Sequence, residues 1–208
     1  MTNVMFYVSL GCFGFLVVHL FDVISLKRLP AIKPITWICG SILLVYALAR
    51  LSLNVEKLAM PGWTGWLGWW VFSFSFLLLI FALFVNLPFR KTYVDKGVGD
   101  QLITTGLYAL VRHPGVHWFS LALGSLLLIS RSSELLFAVP LFILLDILLV
   151  VLQDRFFFAR MFPDYDSYRK TTPMLIPNWQ SIRAFMDSLL AYRAKKQIRR
   201  KQWKLLSS

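Results

Sequence analysis

The sequence predicts an all-α membrane protein, a polytopic bundle of about five transmembrane helices with a C-terminal helical hairpin and a basic amphipathic tail. Three observations carry this. The 208 residues are 58% hydrophobic with a mean hydropathy of +0.65, well above a soluble average. The apolar residues fall into long runs separated by short polar or proline-bearing stretches. The 22 Lys and Arg, against 10 Asp and Glu, lie in the connections and the tail rather than in the runs.

Segment one runs from about Val4 to Leu26, long enough for a hydrocarbon core of about 30 Å at 1.5 Å per residue. It reads as a retained transmembrane helix, because a basic leader and a small-residue cleavage site are missing. His19 and Asp22 sit three apart near its end, on one face. That spacing predicts a polar pair reaching water at the interface. Lys27, Arg28 and Lys33 follow, with Pro30 and Pro34 breaking the helix. Segment two covers about Ile35 to Leu53, with Arg50 placed to snorkel. The loop from Asn54 to Gly62 is nearly neutral.

Segment three, Trp63 to Leu87, opens on Trp63, Trp66, Trp69 and Trp70, which read as an aromatic belt rather than a ligand cage. Pro88 ends it, and Arg90, Lys91 and Lys96 make the next loop basic. Segment four, about Val116 to Ser130, is short for a full span. It pairs with segment five as a tilted hairpin, with Arg131 to Glu134 as the turn. Segment five runs from about Leu135 past Leu152 into Gln153-Asp154-Arg155, with Pro140 as a candidate kink. Asp146 lies deep in it; an intramembrane acid faces protein or a wet cavity. A site role and a helix–helix hydrogen bond are both open there.

After Tyr165 and Tyr168 comes a last stretch with Ile182, Phe185, Met186, Leu189 and Leu190 at helical spacing. Arg193, Lys195, Lys196, Arg199, Arg200, Lys201 and Lys204 follow, with Trp203 among them. This reads as an interfacial helix on anionic lipid, against the plainer reading of a solvated basic tail. Basic loops after segments one and three, and a basic tail, put the N-terminus outside and the tail in the cytoplasm. That pattern accounts for the net charge of +12 without nucleic acid. The membrane reads as a bacterial inner membrane rather than an endomembrane. The chain divides into residues 1–87, a three-helix region; 88–177, a site-bearing core; and 178–208, the tail.

The chemistry is sparse. Cys12 and Cys39 sit in apolar runs and suggest no disulfide framework. His19, His113 and His117 lack acidic partners at metal-ligand spacing, and no phosphate loop or nucleophile elbow occurs. What remains is Leu102-Ile103-Thr104-Thr105-Gly106, Tyr108 and Arg112-His113-Pro114, with Gln153-Asp154 later, all expected at the cytoplasmic face.

In this order, these residues resemble the signature of the isoprenylcysteine carboxyl methyltransferase and phospholipid methyltransferase superfamily of integral membrane enzymes. Gln153-Asp154 stands where that pattern has an acidic pair, Tyr165 and Tyr168 give its Tyr-x-x-Tyr, and Ile176-Pro177 its close. The resemblance covers roughly residues 88 to 177. It implies an S-adenosylmethionine site, with Leu102, Gly106, Tyr108, His113 and Pro114 lining the cofactor and Gln153 and Asp154 near its ammonium. Arg112 would lie near the reacting centre, and the acceptor would be a lipid or small hydrophobic molecule. Three departures stand out: Val116 and Trp118 replace the usual aromatic and small residues, Gln153 replaces an acid, and Leu148, Leu149 and Val150 replace a substrate arginine. They bear on the acceptor more than on the cofactor. A non-catalytic relative and an NADPH-dependent membrane reductase are the competing readings.

Overall fold

The computed structural model describes residues 2–27, 29, 31–53, 55–87 and 102–206. Arg28, Pro30, Pro88, Arg90, Lys91, Lys96 and the expected boundary at residue 88 lie outside them.

The described residues are helical throughout, with one isolated bridge between Lys57 and Ser132 and no strand. The chain forms α1 (Thr2–Leu26), α2 (Lys33–Ser52), α3 (Trp63–Ile80), α4 (Leu107–Leu110), α5 (Pro114–Ser130), α6 (Ser133–Leu152), α7 (Phe158–Met161), α8 (Tyr165–Thr171) and α9 (Trp179–Leu206). Two spans end in π-helical turns, Phe81–Asn86 after α3 and Gln153–Phe157 after α6. Four stretches are long and apolar enough to cross a membrane: Asn3–Leu26, Lys33–Ser52, Trp63–Asn86 and Ser133–Met161. Pro114–Ser130 is apolar but shorter. Only 17% of the most apolar window of each of the first three is buried inside the protein, so their outer faces need lipid. Trp63, Trp66, Trp69 and Trp70 are all exposed on this outer surface.

Helix pairs set the architecture. α1 packs along α2, and α3 packs along α5. The first pair approaches through glycines: a Cβ on Gly40 would fall 2.6 Å from the Val18 nitrogen and 2.8 Å from the Gly14 carbonyl oxygen. Small residues let helix backbones meet where lipid removes the ordinary hydrophobic drive. Pro34 falls in the first turn of α2, where no hydrogen bond is lost, so the helix starts two residues before the expected Ile35. The core is built around Phe142, Leu51, Leu123 and Leu135. Phe15 stands edge-on to Phe119 at 5.4 Å and lies 5.9 Å from Phe142, joining α1, α5 and α6.

The turn between α5 and α6 is shorter than the expected Arg131 to Glu134. Only Arg131 and Ser132 lie outside helix, Arg131 in the left-handed region with φ 53°. Glu134 is taken into the first turn of α6, where the helix dipole favours an acid. Ser132 donates from its hydroxyl to the Leu51 carbonyl at 2.6 Å, and the Leu58 N–H donates to the Arg131 carbonyl at 2.7 Å. The Ser133 N–H donates to the Glu56 carbonyl at 3.2 Å, closing this end of the bundle.

Candidate functional site

At the opposite end, the strap from Leu102 to His113 crosses between the spans. Gly106 opens it with φ 63° and ψ −136°, a conformation that L side chains rarely take. A Cβ there would also meet the Asn86 amide oxygen at 2.2 Å. Asn86, the last residue of the first π-helical turn, fixes the strap on both sides of this glycine. Its amide nitrogen donates to the Thr105 carbonyl at 3.1 Å, and its oxygen accepts from the Leu107 N–H at 3.3 Å. One turn of helix then carries Tyr108, whose hydroxyl donates to the Ala82 carbonyl at 3.3 Å.

The strap ends by pairing with the segment after α8. The Arg112 N–H donates to the Pro173 carbonyl at 2.9 Å, and the His113 N–H to the Met174 carbonyl at 3.2 Å. Pro114 then starts α5, its missing N–H harmless in the first turn. This docking aims both side chains at Asp154, which the second π-helical turn presents inward. Arg112 grips it bidentately, Nε to Oδ1 at 2.7 Å and Nη2 to Oδ2 at 3.0 Å. Nη1 donates to the Thr172 and Arg169 carbonyls at 2.5 and 3.3 Å. The Tyr165 hydroxyl donates to Asp154 Oδ1. Tyr168 donates to the Tyr108 carbonyl at 2.6 Å, closing the frame.

His113 Nε2 lies 3.4 Å from Asp154 Oδ1, near enough for attraction but without the alignment of a hydrogen bond, which leaves this buried nitrogen unpaired. Its ring stacks on Phe158 at 5.6 Å and 12°. Burial lowers the His113 pKa and outweighs the pull of Asp154, so the ring is neutral. Burial works against the Arg112 charge as well, but the hydrogen bonds and charge of Asp154 overcome it and raise that pKa. Burial and the bond to Asp154 hold the Tyr165 hydroxyl protonated, and burial does the same for Tyr168.

A cavity of about 410 Å³ opens beside this frame. Leu102, Tyr108, Arg112, His113, Pro114 and Gln153 line it; Gly106 and Asp154 do not. The opposite wall is apolar, with Phe15 and Val18 of α1, Leu44 of α2 and Leu83 after α3. Six of the eight expected site residues thus share one surface. Gly106 shapes the strap, and Asp154 stands behind the wall with both oxygens engaged.

The sequence reading of His19 and Asp22 as a water-reaching interfacial pair does not hold. Asp22 is 5% exposed and lines the cavity with His19. The Gln153 amide nitrogen donates to Asp22 Oδ2 at 2.7 Å and lies 3.0 Å from His19 Nδ1. The His19 and Asp22 side chains are 3.7 Å apart. The cause is tertiary: Gln153 is 131 residues from Asp22 and supplies the donor that water would have given. The spacing of His19 and Asp22 was the one available signal. Asp146 also faces this cavity. Asp146, Val150 and Gln153, four and three apart, form one stripe of α6 and its continuation. The acids on the cavity wall are therefore Asp22 and Asp146. Among the described residues, no group of His, Cys, Asp and Glu is placed to hold a metal.

No family model, curated protein or solved structure matches this chain, so its chemistry is read from these residues and from the signature they resemble.

Proposed function

We propose that the chain is an integral membrane methyltransferase that uses S-adenosylmethionine on a lipid or small hydrophobic acceptor. One observation carries this reading. Residues of the signature that are far apart in sequence, Tyr108, Arg112-His113-Pro114, Gln153-Asp154 and Tyr165/Tyr168, meet at one end of a cavity with a polar end and an apolar wall.

The donor set suits such a cofactor. Asp22, Asp146 and the Gln153 oxygen match an ammonium, Arg112 matches a carboxylate, and Tyr108 and Phe158 offer aromatic faces to a sulfonium. When bound, S-adenosylmethionine supplies an electrophilic methyl group. The residues around it align donor and acceptor and exclude water. Asp154, fully engaged, is assigned to fixing Arg112, His113 and Tyr165 rather than to the ammonium. Arg112 faces the cavity with its charge already balanced, so it orients an anionic group without binding it as tightly as a free guanidinium would.

The finer topology belongs to the same proposal. α5 and α6 form a hairpin that completes five spans, with the N-terminus outside and the site and tail in the cytoplasm of a bacterial inner membrane. Residues 88–177 are the methyltransferase-like core. The apolar wall of Phe15, Val18, Leu44 and Leu83 supports a hydrophobic acceptor.

Equilibrium binding in detergent tests the proposal. Saturable S-adenosylmethionine binding is expected, weakened about tenfold or more in His113→Ala, the loss of one well-placed contact. Label from the cofactor should then appear in a total lipid extract. A folded chain that binds NADPH instead is a reductase, and one that binds neither is a non-catalytic relative in which the Arg112–Asp154 frame is purely structural.

A further inference from the structure

The surface that the site frame does not use is the outer face of α9. Ile182, Met186, Leu189 and Leu190 are exposed along it, with Trp179 exposed at its start. Arg193 and Lys196 continue the stripe four and seven residues beyond Leu189, and both are exposed. One helix face is thus apolar in its first three turns and basic after them. The whole helix carries eight basic residues against one acid, Asp187. The Arg183 guanidinium lies over the Trp179 ring at 5.3 Å.

The inner face has a different task. α9 packs on α4, and the Gly106 N–H donates to the Ser188 hydroxyl at 2.8 Å. Gly106 is the one described glycine with positive φ. It begins the strap that carries Tyr108, Arg112 and His113. Ser188 therefore holds the strap at its most constrained residue, and what holds α9 also holds the strap.

We propose that the outer face of α9 docks on the anionic surface of the membrane the bundle spans, and that this docking sets the strap through the Ser188–Gly106 clasp. Charge complementarity selects the occupant. A helix so rich in cations beside exposed apolar side chains fits acidic headgroups over hydrocarbon. The helix is tied to the site end of a bundle whose own outer faces need lipid, so a bilayer surface is already adjacent. The inference rests on the contacts of α9 and not on the methyltransferase reading.

Hydrogen exchange on the full chain in nanodiscs tests it, with no cofactor or activity needed. Discs of phosphatidylcholine alone are compared with discs containing phosphatidylglycerol. Both α9 and Gly106–Leu110 should exchange about fivefold or more slowly in the anionic discs, as local opening becomes rarer. The double variant Arg193→Gln, Lys196→Gln should lose both effects. Ser188→Ala should keep the protection of α9 and lose that of Gly106–Leu110. Exchange that ignores lipid charge in the unaltered chain overturns the docking. Protection seen only with two chains per disc makes the occupant a second copy and also overturns it. Protection of Gly106–Leu110 that survives Ser188→Ala overturns the clasp.

Discussion

The two ends of the bundle are closed by opposite chemistry. At one end, Ser132, Ser133, Leu58 and Arg131 exchange hydrogen bonds with the Leu51–Gly62 segment, mostly to backbone carbonyls. At the other, a carboxylate is held by a guanidinium and a phenol, with an unpaired imidazole beside it. The first end saturates backbone groups with hydroxyls and amides, at little electrostatic risk. The second places charge where water is scarce, and is stable only while every partner remains. A closure meant only to hold helices needs no ion pair; the ionic end is the one that borders a cavity. The difference separates a structural end from an end built for a ligand.

Breaking the ionic end should have the largest effect. Asp154→Ala leaves Arg112 buried and unpaired and takes the acceptor from Tyr165. A loss of about 3–5 kcal/mol is expected, read as a lowered unfolding midpoint in detergent. If this substitution proves as mild as one at the hydroxyl end, the contrast between the ends fails. Ser132→Ala is the matched probe there. It removes one buried hydrogen bond to the Leu51 carbonyl and should cost about 1 kcal/mol, with ligand binding unchanged.

The smallest effect sharpens the contrast by pH. His113 is held neutral, its pKa lowered by burial. The unfolded chain takes up a proton near the ordinary value of 6.5 while the folded chain does not. Stability from this group is therefore present above about pH 6.5 and declines as pH falls below it. His113→Phe should flatten that slope in denaturation curves taken across the range. Ser132→Ala should leave it unaltered.

Much of the scaffold was legible because membrane spans are read from length and apolarity alone, and Thr2–Leu26 and Lys33–Ser52 follow the apolar runs closely. The strap was legible as a polar island between such runs. The partners were not. Tyr165 reaches Asp154 along its own segment, but Arg112 reaches it across 42 residues. Asp22 looked like a surface acid because nothing near it in sequence announces Gln153. Asp154, placed beside the cofactor by resemblance, stands behind the wall instead. Residue type was readable, and which way the backbone turned it was not. The two π-helical turns decide that, and an apolar run carries no signature of them.

Those turns have a consequence for how the chain tolerates length changes. A π-helical turn holds one residue more than the α-helical ladder would. Deleting one residue within Gln153–Phe157 would let the regular ladder close. Everything beyond would then rotate by about 100° relative to α6, carrying Tyr165 out of phase with Arg112. The span is therefore indexed like a keyed shaft: substitutions along it can be absorbed one side chain at a time, while a single-residue shift at the key misaligns the whole C-terminal third at once.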